Sequence, residues 1–525
     1  MRDYVRSKRG RLSRLPLLLC IALWVALHLR MADLSALPLI PDEGYYWLWS
    51  RHLDWAYYDH PAGTALLLRL STSLGGQGEF GIRWLNALLG TVCVALVWAL
   101  ATRLSYPGAR GTSRGRTSPF AAWIVALGAP YLIISRFVYT DVLFLFLMLL
   151  NFRFFLSILV SPGPGANPTD RAKSRFPAFT GWAITLALLL NTKYTVFLYI
   201  GALGLWLLVR RHPLLRDRRF WMAGGLGTLG LLPVLGWNAA YDWVSFRWQL
   251  AHLLTTSPGA AAQSLTLIWA RNAVHATRYL TWPVAASALL SAALVGTYRF
   301  RRRPDACSRR HGGMCGLLEL LSLSLLAPVL LSPSGSPRNL LGGLVFLFLR
   351  VDASGYTRSH PMRAMKLGLA AMVALYGMGT IGALRGAPIG LESSVVAEIR
   401  RDTAGMREVN SILALPADRT LFAVDYSLAG QLAYYTGRPV TTSWGQYRLW
   451  AQPDFSNLIL ISLPYIPRGE IEDRLRRAFT VVDGPYSWQD GHGRQITWWQ
   501  AGGLRWSPEE VLEAFDFFAL AEKQP

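Results

Sequence analysis

Two adjacent carboxylates, Asp42 and Glu43, follow an apolar run and open the aromatic stretch PDEGYYWLWS at residues 41–50. A carboxylate is costly to bury near a membrane, so its presence there favours a functional role. Such a group can act as a general base that takes a proton from a nucleophile. The structural alternative is that Asp42 caps a helix, although no Glu or Gln stands three residues later, at Tyr45, to complete a capping box. The residues alone leave both interpretations open.

A second stretch, WAYYDHPAG at residues 55–63, carries polar groups that could reach the same site. It contains Tyr57, Tyr58 and His60, followed by a proline and a glycine. Tyrosine and histidine are also common anchors at the membrane–water interface, which is the structural alternative for this loop. Because the loop returns to the membrane beside Asp42, we expect its polar side chains to contact a substrate.

Asp141 and Lys193 each lie beside an apolar run. Asp141, in SRFVYTD, precedes a long run, and its alternative role is to cap that helix, which Thr140 could also do. Lys193, in LNTKYTVF, separates two short runs; it either snorkels to the interface or, at a broken helix, faces a cavity. Together with Asp42 and His60, these groups suit a phosphate-bearing substrate and a proton transfer. A transporter more often has its charges near the membrane midplane.

The elements that must hold these residues are membrane helices. With 52% hydrophobic and 12% aromatic residues in 525 positions, the composition is typical of a polytopic membrane protein. About eleven apolar runs recur, at residues 15–29, 84–101, 119–135, 141–160, 178–190, 194–209, 220–239, 283–298, 316–331, 340–349 and 367–384. Several are shorter than the ~20 residues that cross a bilayer, which predicts tilted or broken helices. We therefore expect an all-α membrane domain with about 11 transmembrane helices.

The formal net charge of +22 reflects membrane topology rather than a nucleic-acid partner. Lys and Arg cluster in alternate loops, as the positive-inside rule expects for loops that face the cytoplasm. These clusters occupy residues 2–14, 103–116, 171–175, 210–219, 299–310 and 358–366. The pattern predicts a cytoplasmic N-terminus and an extracytoplasmic position for Asp42, for the loops 30–83 and 241–282, and for the C-terminal region. Residues 1–29 resemble a signal peptide without a small-residue cleavage site, so we expect a retained first helix.

The C-terminal region, residues 385–525, has a different composition. It holds fourteen Lys and Arg against seventeen Asp and Glu, whereas the preceding residues are strongly basic. Helix-like and strand-like segments alternate in it, which predicts a small α/β domain. The expected helices are residues 393–413, 427–436 and 469–478, and the expected strands are residues 420–426, 439–444, 457–463, 479–483 and 495–500. The sequence thus predicts two domains, at residues 1–384 and 385–525.

The motifs together resemble a known family. PDEGYYWLWSRHLDWAYYDHPAG, GIRWLNALLG, SRFVYTD, NTKYTVF and LLPVLGWNAAYDWVSFRWQLAHL are similar to the family-39-like membrane glycosyltransferases of GT-C fold. These enzymes are the bacterial relatives of the dolichyl-phosphate-mannose protein mannosyltransferases and of the lipid A aminoarabinose transferases. The resemblance covers residues 30–255 motif by motif. It implies an inverting glycosyltransferase of the cell membrane that moves a sugar from a polyprenyl-phosphate donor to an acceptor hydroxyl on a lipid, an envelope glycan or a protein.

The resemblance also implies roles for individual residues. Asp42 would be the general base, with Glu43 shaping its site and Asp141 orienting the acceptor or assisting the base. Lys193 and Arg83 would stabilise the departing lipid phosphate. His60 stands where the aminoarabinose branch carries a lysine for that phosphate, and the family's second proline is Ala62 here. Residues 332–350 do not show the family's later segment, so no acceptor contact is assigned to them.

Metal dependence varies among GT-C enzymes, and a divalent cation stays open for this chain. The four cysteines, Cys20, Cys93, Cys307 and Cys315, show neither a pair placed for an external disulfide nor a metal-ligand spacing.

Two other functions are also considered. A transporter or lipid flippase would need internal symmetry, and no matching pair of interrupted helices occurs in two halves of the chain. An inactive GT-C scaffold with a partner-binding tail conflicts with the presence of the acidic residues and the lysine.

Overall fold

A computed structural model of the chain describes residues 14–105, 120–159, 168–254, 284–285, 287–289, 291–292, 306–331, 337–353, 360–384, 394–413, 416, 418–450, 454–464, 466–489 and 494–516. The predicted basic N-terminus, much of the predicted loop 241–282 and most of the predicted apolar run 283–298 lie outside these residues. The same is true of the predicted domain boundary at residue 385.

The first part of the chain is helical. Its helices are α1 (Arg14–Met31), α2 (Pro41–Arg51), α3 (Gly63–Gly75), α4 (Glu79–Ser105), α5 (Phe120–Leu127), α6 (Ala129–Arg136), α7 (Thr140–Leu159), α8 (Pro168–Leu190), α9 (Val196–Val209), α10 (Arg218–Thr228), α11 (Leu232–Ala240), α12 (Val244–Leu254), α13 (Ala306–Leu331), α14 (Leu340–Ala353) and α15 (His360–Leu384). Ten of the eleven predicted apolar runs lie within these helices or largely overlap them. Sequence reasoning therefore located the helices correctly, while their number as membrane spans stays a prediction.

Three of the helical stretches in the described residues are long and apolar enough to cross a membrane. They are Glu79–Leu104, Thr140–Leu159 and Arg218–Ala240. The shorter apolar helices are Leu19–Met31, Arg175–Leu190, Val196–Val209, Gly313–Leu326 and Ala371–Leu384. Helix α4 is central, since it contacts α1, α3, α5, α6, α7 and α14.

Two of the predicted runs are broken by local backbone chemistry. The run 119–135 forms two helices, α5 and α6, that meet at Gly128, whose backbone is extended. A Cβ atom there would lie 2.6 Å from the Ile124 carbonyl oxygen, and Pro130 supplies no N–H to continue the helix. In the run 220–239, Pro233 again removes an N–H, and α10 and α11 are joined by the 3₁₀ turn Leu229–Leu231.

The C-terminal α/β region, which we define as residues 394–516, contains the predicted sheet. Its elements are α16 (Ser394–Thr403), α17 (Val409–Leu413), β1 (Thr420–Ala423), α18 (Tyr426–Thr436), β2 (Val440–Thr441), β3 (Asn457–Ser462), α19 (Arg468–Ala478), β4 (Phe479–Gln489), β5 (Gln495–Leu504) and α20 (Pro508–Ala514). The strand order is β2-β1-β3-β5-β4, with β1 parallel to β2 and β3 and with β5 antiparallel to β3 and β4. Gly437 ends α18 with a φ of 66°, as its position in the sequence predicts.

Sequence reasoning missed one helix of this region. Ser507 caps α20 by accepting a hydrogen bond from the Glu510 N–H, and the Glu510 carboxylate accepts one from the Ser507 N–H. The segment SPEE therefore carries a complete capping box with proline at the first helical position, a signal that would have predicted α20.

The C-terminal α/β region packs directly on the helix that carries the two carboxylates. Helix α18 crosses α2 where Gly44 faces Gly430. A Cβ atom on Gly430 would lie 2.3 Å from the Gly44 carbonyl carbon, so only glycine permits this approach. Gln431 of α18 also donates a 2.6 Å hydrogen bond to the Leu39 carbonyl oxygen. The position of α2 is therefore fixed from both parts of the chain.

Candidate active site

Helix α2 begins two residues earlier than a capping role for Asp42 requires. Pro41 is its first residue and Ile40 is the N-cap, so Asp42 lies inside the first turn. The Glu43 carboxylate instead accepts a 3.0 Å hydrogen bond from the Ile40 N–H. The capping alternative for Asp42 is therefore wrong, and its carboxylate serves another purpose.

Glu43 is fully buried and pairs with Arg83 of α4. Arg83 donates hydrogen bonds of 2.5 Å and 2.8 Å to the Glu43 carboxylate, which also accepts a 3.0 Å bond from the Val138 N–H. The charge of Glu43 is buried together with that of its partner, which belongs to another helix. Glu43 connects α2 to α4 and to the start of α7.

Every N–H group of the Arg83 guanidinium already donates a hydrogen bond. Besides its two bonds to Glu43, it donates to the carbonyl oxygens of Leu34, Leu37 and Pro38 at 2.6 to 2.8 Å. A guanidinium has five N–H donors, and all five are used here. A phosphate contact through Arg83 would have to break one of these buried bonds.

Asp42 forms an ion pair with Arg338, a residue that sequence reasoning did not identify. The Arg338 Nη1 atom lies 2.6 Å from the Asp42 Oδ2 atom. About a quarter of each side chain is exposed, with values of 28% and 26%. The Arg338 Cζ atom also lies 4.4 Å from the centre of the Tyr139 ring, which is within cation–π distance. Asp42 is thus partly accessible to solvent, and the Arg338 guanidinium already lies beside its carboxylate.

Asp141 and Lys193 form the second ion pair of the site. The Lys193 Nζ atom lies 2.8 Å from the Asp141 Oδ1 atom and 2.5 Å from the Asn339 Oδ1 atom. This pair is more enclosed, with 12% and 10% of its side chains exposed. Lys193 lies in the turn between α8 and α9, so the helix is broken there, as the alternative to snorkelling predicts.

One short turn connects the two ion pairs. Arg338 and Asn339 are consecutive residues of the 3₁₀ turn Pro337–Asn339, which leads into α14. Arg338 reaches Asp42 and Asn339 reaches Lys193, so two of the three predicted catalytic carboxylates, Asp42 and Asp141, and the predicted phosphate ligand meet at this turn. Sequence reasoning assigned no role to this segment. Its only signal is a pair of polar residues after a proline, between two apolar runs.

Tyr57 is part of the protein interior. It is fully buried, its ring stacks on Trp49 at 4.4 Å, and its hydroxyl donates to the Trp49 carbonyl oxygen at 3.0 Å. The same hydroxyl accepts a 3.2 Å hydrogen bond from the Asp54 N–H. These contacts stabilise the fold of the loop after α2.

Tyr58 and His60 lie closer to the surface than Tyr57. The Tyr58 N–H donates a 2.8 Å bond to the Gln446 Oε1 atom of the C-terminal α/β region. The Tyr58 ring lies 5.6 Å from that of Trp444. His60 is half-buried, with its ring 6.3 Å from that of Tyr46, and it lies within electrostatic range of Asp141.

Asp59, between them, was not identified by sequence reasoning. It is 8% exposed and accepts a 3.3 Å hydrogen bond from the Tyr45 hydroxyl. Burial raises the pKa of this carboxyl above its usual value, and the nearby His60 opposes the rise. The loop thus adds a further acidic group to the neighbourhood of Asp42.

The C-terminal α/β region contributes aromatic side chains beside these residues. Tyr426 stacks on Trp444 with ring centres 4.0 Å apart, and Tyr45 of α2 lies 5.2 Å from Tyr426. In the described part of the chain, no three His, Cys, Asp or Glu side chains lie close enough together to hold a metal ion. The site is therefore built from two ion pairs, with aromatic residues on one flank.

Comparison with known proteins agrees with this architecture. The model of the dolichyl-phosphate-mannose-protein mannosyltransferase family matches residues 59–237. Among curated proteins, the lipid A galacturonosyltransferase RgtD of Rhizobium johnstonii is 29% identical over 238 residues. That match covers 45% of this chain and 45% of the relative.

Solved structures match over nearly the whole chain. ArnT from Cupriavidus metallidurans in the apo state has a TM-score of 0.59 at 15% identity and covers 94% of this chain and 98% of its own. The same protein bound to undecaprenyl phosphate has a TM-score of 0.58 at 17% identity and covers 91% and 97%.

The fold and the site define a membrane protein with the GT-C architecture of these structures. Within that class, the family model and the curated relative confirm the resemblance to the family-39-like glycosyltransferases that the sequence predicts.

Proposed function

We propose that this protein is an inverting glycosyltransferase that moves a sugar from a polyprenyl-phosphate donor to an acceptor hydroxyl. The observation that carries the proposal is the turn Pro337–Asn339, through which Asp42 and the Lys193–Asp141 pair meet in one site. A base for the acceptor and a cation for the leaving phosphate are the two groups that this reaction needs.

In the proposed reaction, Asp42 accepts the proton of the acceptor hydroxyl. The acceptor oxygen forms a bond to the anomeric carbon while the bond from that carbon to the phosphate oxygen breaks. The electron pair of the broken bond stays on the phosphate, whose charge becomes more negative. Attack from the opposite face inverts the configuration at the anomeric carbon. Asp42 suits the role because its carboxylate is partly exposed, whereas Glu43 is enclosed.

Lys193 stabilises the charge that develops on the leaving phosphate. Asp141 lies 2.8 Å from the ammonium group and Asn339 lies 2.5 Å from it, so both hold Lys193 in place. This geometry supports a positioning role for Asp141 toward Lys193, in addition to the acceptor-orienting role that the resemblance implies. His60 and Tyr58, at the edge of the site, contact the substrate.

Glu43 and Arg83 act through α2 rather than on the substrate. Because the five donors of Arg83 are all engaged, we assign to this pair the placement of Asp42. Tyr57 has a similar structural role in the neighbouring loop, since its hydroxyl binds two backbone groups.

The acceptor that we propose is a glycolipid of the lipid A type, as the name of the curated relative suggests. The donor lipid is undecaprenyl phosphate, which is bound in one of the related structures. Both hexosyl and pentosyl donors fit the chemistry described above. The enzyme would lie in the inner membrane with its N-terminus in the cytoplasm. Residues 1–384 would form the catalytic membrane domain, and residues 385–525 would form an extracytoplasmic domain.

The experiment that tests this proposal is transfer by the purified full chain in lipid nanodiscs. Lipid A and a set of undecaprenyl-phosphate sugars are supplied, and mass spectrometry detects an acceptor heavier by one sugar residue. NMR of the product then gives the anomeric configuration, which we expect to be inverted relative to the donor. Absence of a product with every donor, from protein that is correctly folded, would reject the proposal for this acceptor.

A further inference from the structure

The Asp42–Arg338 ion pair poses a chemical problem for a catalytic base. The Oδ2 atom of Asp42 lies 2.6 Å from the guanidinium, so one carboxylate oxygen is already engaged. While this contact lasts, the Oδ2 atom is directed at the guanidinium and is not available to the proton of an acceptor hydroxyl. For Asp42 to take a proton efficiently, this contact has to be loosened during the reaction.

The donor brings a group that can replace the carboxylate. Arginine binds phosphate through two parallel hydrogen bonds, a geometry that a planar guanidinium favours. Arg338 is next to Asn339, which contacts Lys193, so a phosphate that reaches Lys193 comes close to Arg338 as well. The Arg338 guanidinium and the Lys193 ammonium group then both lie on the side of the site that the leaving group occupies.

We propose that Arg338 is a counterion shared in sequence by Asp42 and by the donor phosphate. Asp42 holds the guanidinium before the donor binds; the phosphate then takes it over, and Asp42 becomes free to accept the proton of the acceptor. This inference rests on the proposed function. It ties the availability of the Asp42 carboxylate to the presence of the donor, so that an acceptor is activated only when a sugar is ready for transfer.

The surroundings of Arg338 permit such an exchange. Its side chain is 28% exposed, so it can rotate, whereas Arg83 is buried with all its donors engaged. The Tyr139 ring, 4.4 Å from the Arg338 Cζ atom, supports the cation independently of Asp42. The Asp42 side chain is also partly exposed and has room to meet an acceptor.

Sharing of Arg338 between Asp42 and the donor phosphate has a measurable effect on phosphate binding. If Asp42 and the phosphate compete for one guanidinium, then removing the carboxylate charge must strengthen phosphate binding. A residue that only binds the acceptor would show no such effect. The coupling is reciprocal, and a double-mutant cycle isolates it.

The test measures the affinity of the full chain in nanodiscs for undecaprenyl phosphate, which carries the phosphate without a sugar. We expect Arg338→Gln to weaken binding by about tenfold, the effect of losing one charge-assisted contact. We expect Asp42→Asn to strengthen binding several-fold, and the double variant to lose that gain. Arg407→Gln is the matched control, because Arg407 pairs with Glu79 at 2.9 Å and does not contact Asp42; its affinity should equal that of the wild type.

Two outcomes would overturn the proposal. One is an Arg338→Gln variant that binds undecaprenyl phosphate as tightly as the wild type. The other is an Asp42→Asn variant whose affinity is unchanged or weaker. These results are distinct from a failure of the proposed function, which would appear as phosphate binding by the wild type without any transfer of sugar. Thermal unfolding of each variant confirms that the compared proteins are folded.

Discussion

The Arg83 guanidinium donates two hydrogen bonds, of 2.5 Å and 2.8 Å, to the Glu43 carboxylate, one residue away from the proposed base. Arg83 also donates hydrogen bonds to the carbonyl oxygens of Leu34, Leu37 and Pro38. A single side chain therefore fixes the segment that leads into α2. The pair defines where Asp42 lies relative to α4.

Breaking this pair should destabilise the protein. Glu43→Gln leaves a buried guanidinium without its charged partner, which costs on the order of 3–5 kcal/mol of unfolding free energy. Thermal unfolding in nanodiscs measures the effect, and sugar transfer should fall with it because Asp42 shifts. Arg407→Gln is the control, since its pair with Glu79 lies near the surface, with 40% and 16% of the two side chains exposed, and breaking a surface pair costs about 1 kcal/mol. An unfolding temperature of Glu43→Gln equal to that of the control would contradict the structural role.

Lys193 is expected to act mainly on the rate of the chemical step. Lys193→Gln removes the charge that faces the departing phosphate, and we expect kcat to fall by about 10²- to 10³-fold. Asn339→Ala should have a smaller effect, because it removes only the group that positions the ammonium. Steady-state kinetics with saturating donor checks both variants. A Lys193→Gln enzyme with unchanged kcat would show that phosphate departure does not depend on this residue.

The contact between Gly44 and Gly430 should be required for activity. Gly430→Ala places a methyl group 2.3 Å from the Gly44 carbonyl carbon, so α18 must move away from α2. We expect lower transfer and greater protease sensitivity of the C-terminal α/β region, measured by limited digestion. Gly469→Ala in α19 is the matched control, since no atom lies within 4 Å of the added carbon. Equal digestion rates for the two variants would contradict a tight α2–α18 interface.

Asp59 should make stability depend on pH in a particular direction. Burial raises the pKa of its carboxyl in the folded protein, so the folded state holds this proton more tightly than the unfolded state. Its contribution to stability is complete below the unfolded pKa, about 3.9, and it is lost as the pH rises through the folded pKa. Asp59→Asn should therefore gain stability relative to the wild type as the pH is raised from about 4 toward neutrality.

Unfolding temperatures of both proteins across this pH range test the effect, because contributions from other groups cancel in the difference. A difference that does not change with pH would show that Asp59 has its ordinary pKa. The opposite trend would indicate that His60, rather than burial, dominates.

Much of this architecture could be predicted from the sequence. Long apolar runs identify membrane helices because a helix needs about 20 apolar residues to cross a bilayer. Asp141 and Lys193 are recognisable as charged residues at the ends of such runs. The alternation of strand-like and helix-like segments likewise predicted the sheet of the C-terminal α/β region.

The partners of the charged residues could not be predicted in the same way. Arg338 meets Asp42 across 296 positions, and hydrophobic periodicity carries no information on such a contact. The buried partner of Glu43, Arg83, is likewise supplied by another helix. Periodicity shows which residues are polar, but only the tertiary fold shows which of them are paired.

The central claim is that Asp42 is the base for the acceptor, and single-turnover transfer tests it most directly. Wild type and Asp42→Asn are loaded with the undecaprenyl-phosphate sugar, mixed with lipid A and quenched at short times. The account predicts that the rate constant of Asp42→Asn falls by about 10²- to 10⁴-fold, while undecaprenyl phosphate still binds. A variant that transfers sugar within a few-fold of the wild-type rate would contradict the account.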